Sequence, residues 1–422
     1  MTTFGEVTNE VWFTVRKLVW TAVAVAALAA AVAGLAVGDS GKSNLTEFQY
    51  AIGLWGDLPY SQLQQDTGIP NLIADMNSAQ IQFTVNDGDW KAGNGTTANP
   101  PSSNCDDALY ARALGWLNSL EKPAIFTPGD NDWTDCDRTS NGAFNSLERL
   151  DHERAVFFAT NQSLGKKTLT QEVQTDLTCL GYVSGGLPTN NPSPTVTTPV
   201  ACVENRRWEF KGVMYATVNV QGTCNNLCSS GSGDAPATDA DPITPGIQFA
   251  QSRLDEYNAR NAADIAWLQE TFAKAKANGD AAVMIIGQAD PGFDLSGSPF
   301  AGANPDAPTR DPKTLDPAGL NATTTSFGFK DFLTTLRNES IAFQRPVVYV
   351  HGDTHYFRVD KPLLDKDGKR LENFTRVETF GDNAVNGLND VHWVKALVDP
   401  ASRDVFAFQA QTVPGNVVAH TP

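Results

Sequence analysis

The sequence predicts an α/β domain built on a largely parallel sheet. Short β-branched or aromatic runs, typical of strands, alternate with helical patterns along the first half of the chain. Eight Gly-Asp pairs occur in the 422 residues, and four of them directly end such runs. A run that stops at glycine is typical of a buried strand leaving its sheet. Because ligands of α/β proteins bind at the carboxyl ends of such strands, these pairs indicate the functional edge.

The individual elements follow from periodicity and turn residues. Two stretches rich in Gly, Pro, Ser and Thr, 181–198 and 224–245, are predicted to be irregular insertions. The last three predicted strands have little helix between them, so we expect an antiparallel sheet to complete the domain. Strands are predicted at 46–54, 80–85, 124–127, 213–220, 281–286, 346–350, 376–380, 393–398 and 405–409, and helices at 106–120, 146–159, 247–278 and 327–336.

The N-terminal segment, 1–45, carries a targeting signal. Twenty uncharged residues, 18–37, follow Arg16 and Lys17. This length suits a transmembrane helix, while the richness in alanine leaves a cleavable signal peptide open. The basic flank places the N-terminus in the cytoplasm. We therefore predict a short cytoplasmic stub, the span and a linker, followed by one extracytoplasmic domain at 46–415 that is membrane-anchored, or secreted if the helix is cleaved.

Composition is consistent with export. The net charge of −17 and the pI of about 4.7 argue against nucleic-acid binding, which needs a basic face. Six cysteines allow 15 disulfide pairings, and their spacings do not resemble zinc ribbons. Without excluding the other pairings, neighbouring positions suggest that a disulfide joins two strand-end loops, that another ties the first insertion and that a third closes a small loop: Cys105 with Cys136, Cys179 with Cys202, and Cys224 with Cys228.

The strand-end carboxylates point to metal chemistry. Asp57, Asp89, Asp130 and Asp353 each follow a predicted strand. Carboxylates collected in one pocket are costly unless a cation fills it. Asp382, which follows a fifth run, is better explained as a turn residue.

The strand-end motifs in chain order are Gly56-Asp57-Leu58-Pro59-Tyr60, Gly88-Asp89, Pro128-Gly129-Asp130-Asn131-Asp132-Trp133, Gly287-Gln288 and His351-Gly352-Asp353-Thr354-His355. Their order and spacing resemble the calcineurin-like metallophosphoesterase superfamily over most of residues 48–409. They also resemble a divergent, poorly characterised branch with Gly-Asp-x-Pro-Tyr and Pro-Gly-Asp-Asn-Asp/Glu-Trp motifs. The resemblance implies a four-layer α-β-β-α sandwich of two mixed sheets, with two metal ions that activate a water for attack on phosphorus.

The resemblance also implies a role for each matching residue. Asp57 matches the first metal-binding Asp of the family, and Asp89 matches the Asp that bridges the two metals. Asp130 and Asn131 match the Asn and the catalytic His of the family's Gly-Asn-His turn. Gln288 matches a metal-binding His, and the last motif matches the closing Gly-His-x-His. The implied metal ligands are Asp57, Asp89, Asp130, Gln288, Asp353 and His355.

Several histidines of the family pattern are replaced. Pro59 stands where the first motif has His, although Tyr60 could serve as an oxygen ligand, as a tyrosine does in purple acid phosphatases. The two ions are expected among Mn, Mg, Ca, Fe and Zn, and the oxygen-rich ligand set favours the harder ions over Zn²⁺. Asn131 is expected to act in catalysis by orienting phosphate but cannot protonate a leaving group. Asp132 is the nearest titratable substitute, and His351 or His355 could also act.

These observations predict a metal-dependent hydrolase of small phosphate esters. The alternative is a catalytically inactive member that keeps the fold as a ligand-binding or cell-surface module. The retained acids favour the enzyme, whereas the missing histidines favour the module. Besides the phosphate ester, the only partner predicted is the membrane, through the N-terminal helix; the oligomeric state is left open.

Overall fold

A computed structural model describes residues 49–93, 104–175, 178–183, 197–227, 251–293, 327–381 and 391–417. The predicted span at 18–37, Asp382 and most of both predicted insertions lie outside these ranges. Within them, no helix combines the length and apolar character needed to cross a membrane. All the described residues belong to one unit, Phe48–Pro422.

The described strands form two mixed sheets and a hairpin. The first sheet has the order β14-β13-β1-β2-β3, the second has the order β11-β12-β10-β9-β8-β7-β4, and β5 pairs with β6. The strands are β1 (Tyr50–Trp55), β2 (Thr84–Asn86), β3 (Ala124–Phe126), β4 (Glu172–Val173), β5 (Thr178–Tyr182), β6 (Thr197–Ala201), β7 (Arg206–Phe210), β8 (Val213–Thr217), β9 (Ala282–Ile286), β10 (Val347–His351), β11 (Arg358–Asp360), β12 (Phe374–Glu378), β13 (Trp393–Val398) and β14 (Phe406–Gln411).

Five helices of ten or more residues accompany the described strands. They are α1 (Ile69–Ser78), α2 (Asp107–Ser119), α3 (Ser146–Phe157), α4 (Gln251–Asn278) and α5 (Lys330–Phe343). The sequence analysis assigned no helix to α1. Its buried residues Ile69, Leu72, Ile73 and Met76 nevertheless recur at helical spacing, which was the signal that could have identified it.

Alternation along β1 shows how the layers are arranged. Tyr50, Ile52 and Leu54 face a core shared with the second sheet. Ala51 and Trp55 face the opposite side, in a core shared with α1 and α2. Helices α4 and α5 pack on the outer face of the second sheet. The two sheets thus lie face to face with helices outside them, which confirms the prediction of an α/β fold with two mixed sheets.

The parallel strands of each sheet are adjacent. β1, β2 and β3 are parallel in the first sheet, as are β8, β9, β10 and β12 in the second. The last three predicted strands were expected to complete the domain as an antiparallel sheet, and this holds for β13 and β14 but not for β12. β12 extends the second sheet in parallel, while β13 and β14 join the first sheet in antiparallel orientation. These partners lie far away in sequence, so local pattern could not identify them.

Two disulfides confirm two of the expected cysteine pairs. Cys105 is bonded to Cys136, and Cys179 is bonded to Cys202 at the base of the β5–β6 hairpin. Strands β5 and β6 therefore occupy the ends of the predicted insertion at 181–198, which was expected to be irregular throughout. Cys224 is disulfide-bonded as well, and its expected partner, Cys228, lies outside the described residues. Such disulfides are typical of oxidising compartments.

Candidate active site

The predicted site residues meet where the carboxyl ends of the two sheets face each other. Asp57 follows β1 in the first sheet, and Asp353 follows β10 in the second. The backbone N–H of Asp353 donates to Asp57 Oδ2 at 3.0 Å. The side chain of Gln288, after β9, donates to Asp89 Oδ2 at 3.3 Å and to Asp130 Oδ1 at 3.4 Å. Contacts across the two sheets therefore join residues that lie up to about 300 positions apart.

Three atoms that could bind a cation, which we call the donor triangle, lie at the centre of this site. Asp57 Oδ1 lies 3.3 Å from Tyr60 Oη, and Tyr60 Oη lies 3.2 Å from His355 Nε2. The third side, from His355 Nε2 to Asp57 Oδ1, is 3.4 Å. Two ligands of one ion at metal–ligand distances of about 2.0–2.2 Å are separated by about 3.0–3.5 Å. The three atoms therefore have the spacing of ligands to a single cation, and Asp89 Oδ2 lies 2.7 Å from Tyr60 Oη.

Tyr60 is what completes this group. When only His, Cys, Asp and Glu side chains are counted, the described ranges contain no group of three or more arranged to hold a metal ion. Asp57 and His355 supply two donors, and the phenol oxygen supplies the third. Burial, followed by the charges of Asp89 and Asp57, raises the pKa of Tyr60 well above its usual value. The phenol is therefore protonated and donates to Asp89.

Packing between loops explains why two of the Gly-Asp pairs have glycine before the aspartate. A Cβ atom on Gly352 would lie 1.5 Å from Asp57 Oδ2, and one on Gly129 would lie 2.1 Å from Asp89 Oδ1. Each glycine therefore leaves the space that the carboxylate of a different strand end occupies. The pattern along the chain reflects this mutual fit between loops, since any side chain at either glycine would displace a site carboxylate.

Unusual backbone conformations coincide with the site. Asp57, Asp89, Asp353 and His355 have φ angles of 52°, 64°, 70° and 61°, in the left-handed region. Aspartate tolerates this region better than most residues, and each such non-glycine residue costs on the order of 1–3 kcal/mol. Strain of this kind persists where surrounding contacts impose it, and it clusters at functional sites. The residues with left-handed backbone conformations are therefore among those whose side chains form the site.

The acids repel one another within a buried pocket. Burial, followed by the charges of Asp130 and Asp57, raises the pKa of Asp89 well above its usual range. The same causes in the same order raise the pKa of Asp353. Burial, followed by the charge of Asp135, raises the pKa of Asp130 to about 7. A bound cation would favour the ionised form of these carboxylates.

Metal-free protein is therefore expected to lose stability as the pH rises. A raised pKa means that the folded state binds the Asp130 proton more tightly than the unfolded state does. The resulting stabilisation is present below the unfolded pKa of about 4 and is lost as the pH rises through the folded pKa of about 7. Melting temperatures measured from pH 4 to pH 8 should fall across this window, and Asp130→Asn should show a weaker fall. A flat profile for the wild-type protein would contradict the assigned electrostatics.

Asn131 and Asp132 support the loops around Asp89. The Asn131 side chain donates to Asp89 Oδ2 at 2.6 Å and to Tyr60 Oη at 2.9 Å. The Asp132 carboxylate accepts the backbone N–H groups of Asp89, Trp90 and Gly129 at 2.7–2.8 Å. Asp132 is fully buried, so this arrangement gives it a structural role between two strand-end loops. Its role as a proton donor stays a prediction.

His351 and Gln288 are placed differently from the other predicted site residues. His351 is buried, its ring stacks on Tyr349, and its Nδ1 lies 2.8 Å from the carbonyl oxygen of Gly352. The Gln288 Oε1 atom accepts the Gly222 N–H at 2.6 Å, so its amide nitrogen faces the acids. In this orientation Gln288 offers hydrogen-bond donors to the carboxylates rather than a metal-binding oxygen.

Thr223 and Asp135 also belong to the site, although neither was predicted as a site residue. Thr223 Oγ1 lies 2.8 Å from Asp130 Oδ2 and 3.0 Å from Asp135 Oδ1. Asp135 in turn forms a salt bridge of 2.6 Å with Arg138. Asp135 belongs to the same acidic run as Asp130, which was an available signal. The signal for Thr223 was its position after β8, which neighbours β9 in the second sheet.

Comparison with known proteins gives only distant structural likenesses. No protein-family model matches the chain, and no curated protein matches it in sequence. One similar solved structure is that of GAP50, the anchor in the inner membrane complex of Plasmodium, with 9% identity and a TM-score of 0.38, covering 86% of this chain and 89% of that one. Another is that of PhoD, with 10% identity and a TM-score of 0.47, covering 86% and 70%. Because these likenesses are distant, we take the functional inference from the site itself.

Proposed function

We propose that the chain is a metal-dependent hydrolase of phosphate esters, with the four-layer sandwich architecture of the metallophosphoesterases. The observation that carries this proposal is the donor triangle of Asp57, Tyr60 and His355, with Asp89 in contact with Tyr60. These donors lie at the carboxyl ends of parallel strands, where α/β proteins bind ligands. The motif order that resembles metallophosphoesterases supports the same conclusion.

The described residues fit two cation positions. Asp57, Tyr60 and His355 would hold one ion. Asp130 and Asp353 would hold the second, since Asp130 Oδ2 and Asp353 Oδ1 both lie against Gly222, where no side chain separates them. We propose that Asp89, which contacts Tyr60, would bind both ions.

When bound, divalent ions polarise a phosphate ester and neutralise the charge that develops on its oxygens. Side chains of the protein would position the carboxylates that bind these ions. Asn131 holds the Asp89 carboxylate through its backbone and its side chain. Asp353 and His355 are partly exposed and Tyr356 is exposed, so the segment after β10 forms the accessible side of the site. We propose that a small phosphate ester enters there.

A second candidate function is a non-catalytic ligand-binding module. The amide groups of Asn131 and Gln288 both donate to Asp89 Oδ2, and these donors offset negative charge that a metal would otherwise balance. A site that uses amide donors in this way can keep its shape without a cation. This candidate predicts ligand binding that requires no metal and leads to no turnover.

Metal titration combined with a hydrolysis assay tests the proposal. Protein stripped with a chelator would be titrated by calorimetry with Mn²⁺, Mg²⁺, Ca²⁺, Fe²⁺ and Zn²⁺, and assayed with aryl phosphate mono- and diesters. We expect at least one of these ions to bind, to raise the melting temperature and to restore hydrolysis. Absence of both binding and hydrolysis with every ion would contradict the proposal and leave the non-catalytic module.

We also propose that the domain acts outside the cytoplasm, tethered through the segment at 18–37, without nucleic-acid partners. The disulfides and the acidic composition support export. Fractionation of cells expressing the full chain tests the tether. Recovery of the whole chain in the soluble cytoplasmic fraction would contradict it.

A further inference from the structure

A turn made of residues 223–226 has a backbone conformation that is rare for consecutive residues. Thr223, Cys224, Asn225 and Asn226 have φ angles of 48°, 54°, 59° and 71°, so all four are left-handed and none is glycine. Residues other than glycine normally visit this region singly, because Cβ approaches the following carbonyl oxygen. A run of four requires strong contacts on both sides. We call these four residues the left-handed turn.

Side chains of helix α4 contact one side of the left-handed turn. The guanidinium group of Arg260 is fully buried and donates to Asn225 Oδ1 at 2.6 Å and to the Asn225 carbonyl oxygen at 3.0 Å. It also donates to the carbonyl oxygen of Asn219 at 2.7 Å, just before the turn. Glu256, one helical turn earlier, pairs with Arg260 at 2.6 Å and accepts the Asn226 side chain at 2.7 Å. This clamp satisfies polar groups at the C-terminal end of the strained segment and at Asn219, four residues before its start.

The opposite side of the left-handed turn contacts the candidate active site. The Thr223 hydroxyl bonds to Asp130 Oδ2 at 2.8 Å, and the Gly222 N–H orients Gln288 at 2.6 Å. The absence of a side chain on Gly222 leaves the space between the carboxylates of Asp130 and Asp353. The strained conformation thus coincides with the point where the second sheet reaches Asp130 of the first sheet.

We propose that the left-handed turn is a positioning element that orients Asp130 toward the second cation position, with Thr223 as its positioning residue. This inference rests on the proposed function. The Arg260–Glu256 clamp maintains the strained backbone. The Thr223 hydroxyl, which also lies 3.0 Å from Asp135 Oδ1, fixes Asp130 Oδ2, the oxygen that lies against Gly222 at the second cation position. The other oxygen, Oδ1, faces the Gln288 amide at 3.4 Å. Loss of the hydroxyl leaves the carboxylate free to rotate, which weakens binding at that position.

A matched pair of substitutions tests this role. Thr223→Val keeps the branched shape and its backbone preference but removes the hydroxyl, whereas Thr223→Ser keeps the hydroxyl. Loss of an outer-shell partner typically lowers metal affinity by about 10- to 100-fold. Calorimetric titration with Mn²⁺ should show that loss for one of two binding events in Thr223→Val and wild-type affinity in Thr223→Ser. Loss of affinity confined to one binding event, with the other event at wild-type affinity, separates positioning from general loss of stability.

The controls distinguish failure of this inference from failure of the proposed function. Wild-type protein that binds Mn²⁺, with an unchanged isotherm for Thr223→Val, would overturn the positioning role alone. Wild-type protein that binds neither Mn²⁺ nor any of the other four ions would overturn the metal-dependent function and the positioning role with it. Arg260→Lys keeps the charge but loses the planar fork, so it should weaken the same binding event. An Arg260→Lys variant that folds and binds Mn²⁺ with wild-type affinity at both positions would overturn the role of the clamp.

Discussion

Asp89→Asn is expected to abolish metal-dependent hydrolysis while the metal-free protein still folds. The substitution preserves shape and keeps an oxygen that can accept from Tyr60, but its NH2 group replaces the oxygen that accepts the Asn131 N–H. Relief of repulsion among the buried acids offsets part of the cost of that lost hydrogen bond, so only a moderate fall in melting temperature is expected. The effect of the substitution on metal affinity should exceed the 10- to 100-fold loss typical of outer-shell partners. Calorimetry and aryl phosphate hydrolysis would measure both effects.

The matched control for Asp89→Asn is Asp404→Asn. Asp404 is exposed and pairs only weakly with the exposed Arg403, so its loss should change neither metal affinity nor hydrolysis. The decisive comparison is the rise in melting temperature on adding Mn²⁺. That rise should disappear in Asp89→Asn and persist in Asp404→Asn. An Asp89→Asn protein that still hydrolyses the ester at the wild-type rate would refute the assignment of Asp89.

Gly352→Ala is expected to disrupt the site by steric contact alone. The new methyl group would stand 1.5 Å from Asp57 Oδ2, a separation that no relaxed structure allows. Asp57 is fully buried and accepts the Asp353 N–H, so it cannot move without breaking that contact. We expect loss of hydrolysis and of metal binding at the position assigned to Asp57, Tyr60 and His355, with a melting temperature several degrees lower. Overpacking of this kind typically costs about 1–3 kcal/mol.

Gly115→Ala is the matched control for Gly352→Ala. Gly115 lies in α2, and a Cβ there would meet nothing within 4 Å. Alanine is favoured over glycine in a helix by about 1 kcal/mol, so this variant should be slightly more stable than the wild type. Its metal binding should be unchanged. If both alanine variants kept wild-type metal affinity, the close fit between Gly352 and Asp57 would have no functional importance.

Local pattern identified the elements that supply the site. The strand ends at Asp57, Asp130 and Asp353 were predicted because a β-branched run that stops at glycine is a short-range signal. Two disulfides were anticipated from the positions of cysteines relative to these strand ends. The expectation that β12 would share an antiparallel sheet with β13 and β14 was wrong, because strand pairing depends on distant partners. Strand boundaries also moved, as in β2, which is confined to Thr84–Asn86.

The sequence by itself determined which residue types stand at the strand ends, and therefore that a pocket rich in carboxylates would form. Only the tertiary structure decided which donors meet. The Tyr60 phenol completes a group with His355, almost 300 residues away, and Gly222 orients the Gln288 amide. Side-chain direction depends on contacts between separate loops, which no local pattern encodes. The Gly-Asp pairs at 129–130 and 352–353 show both levels, because each is a local turn signal whose glycine accommodates the carboxylate of another strand end.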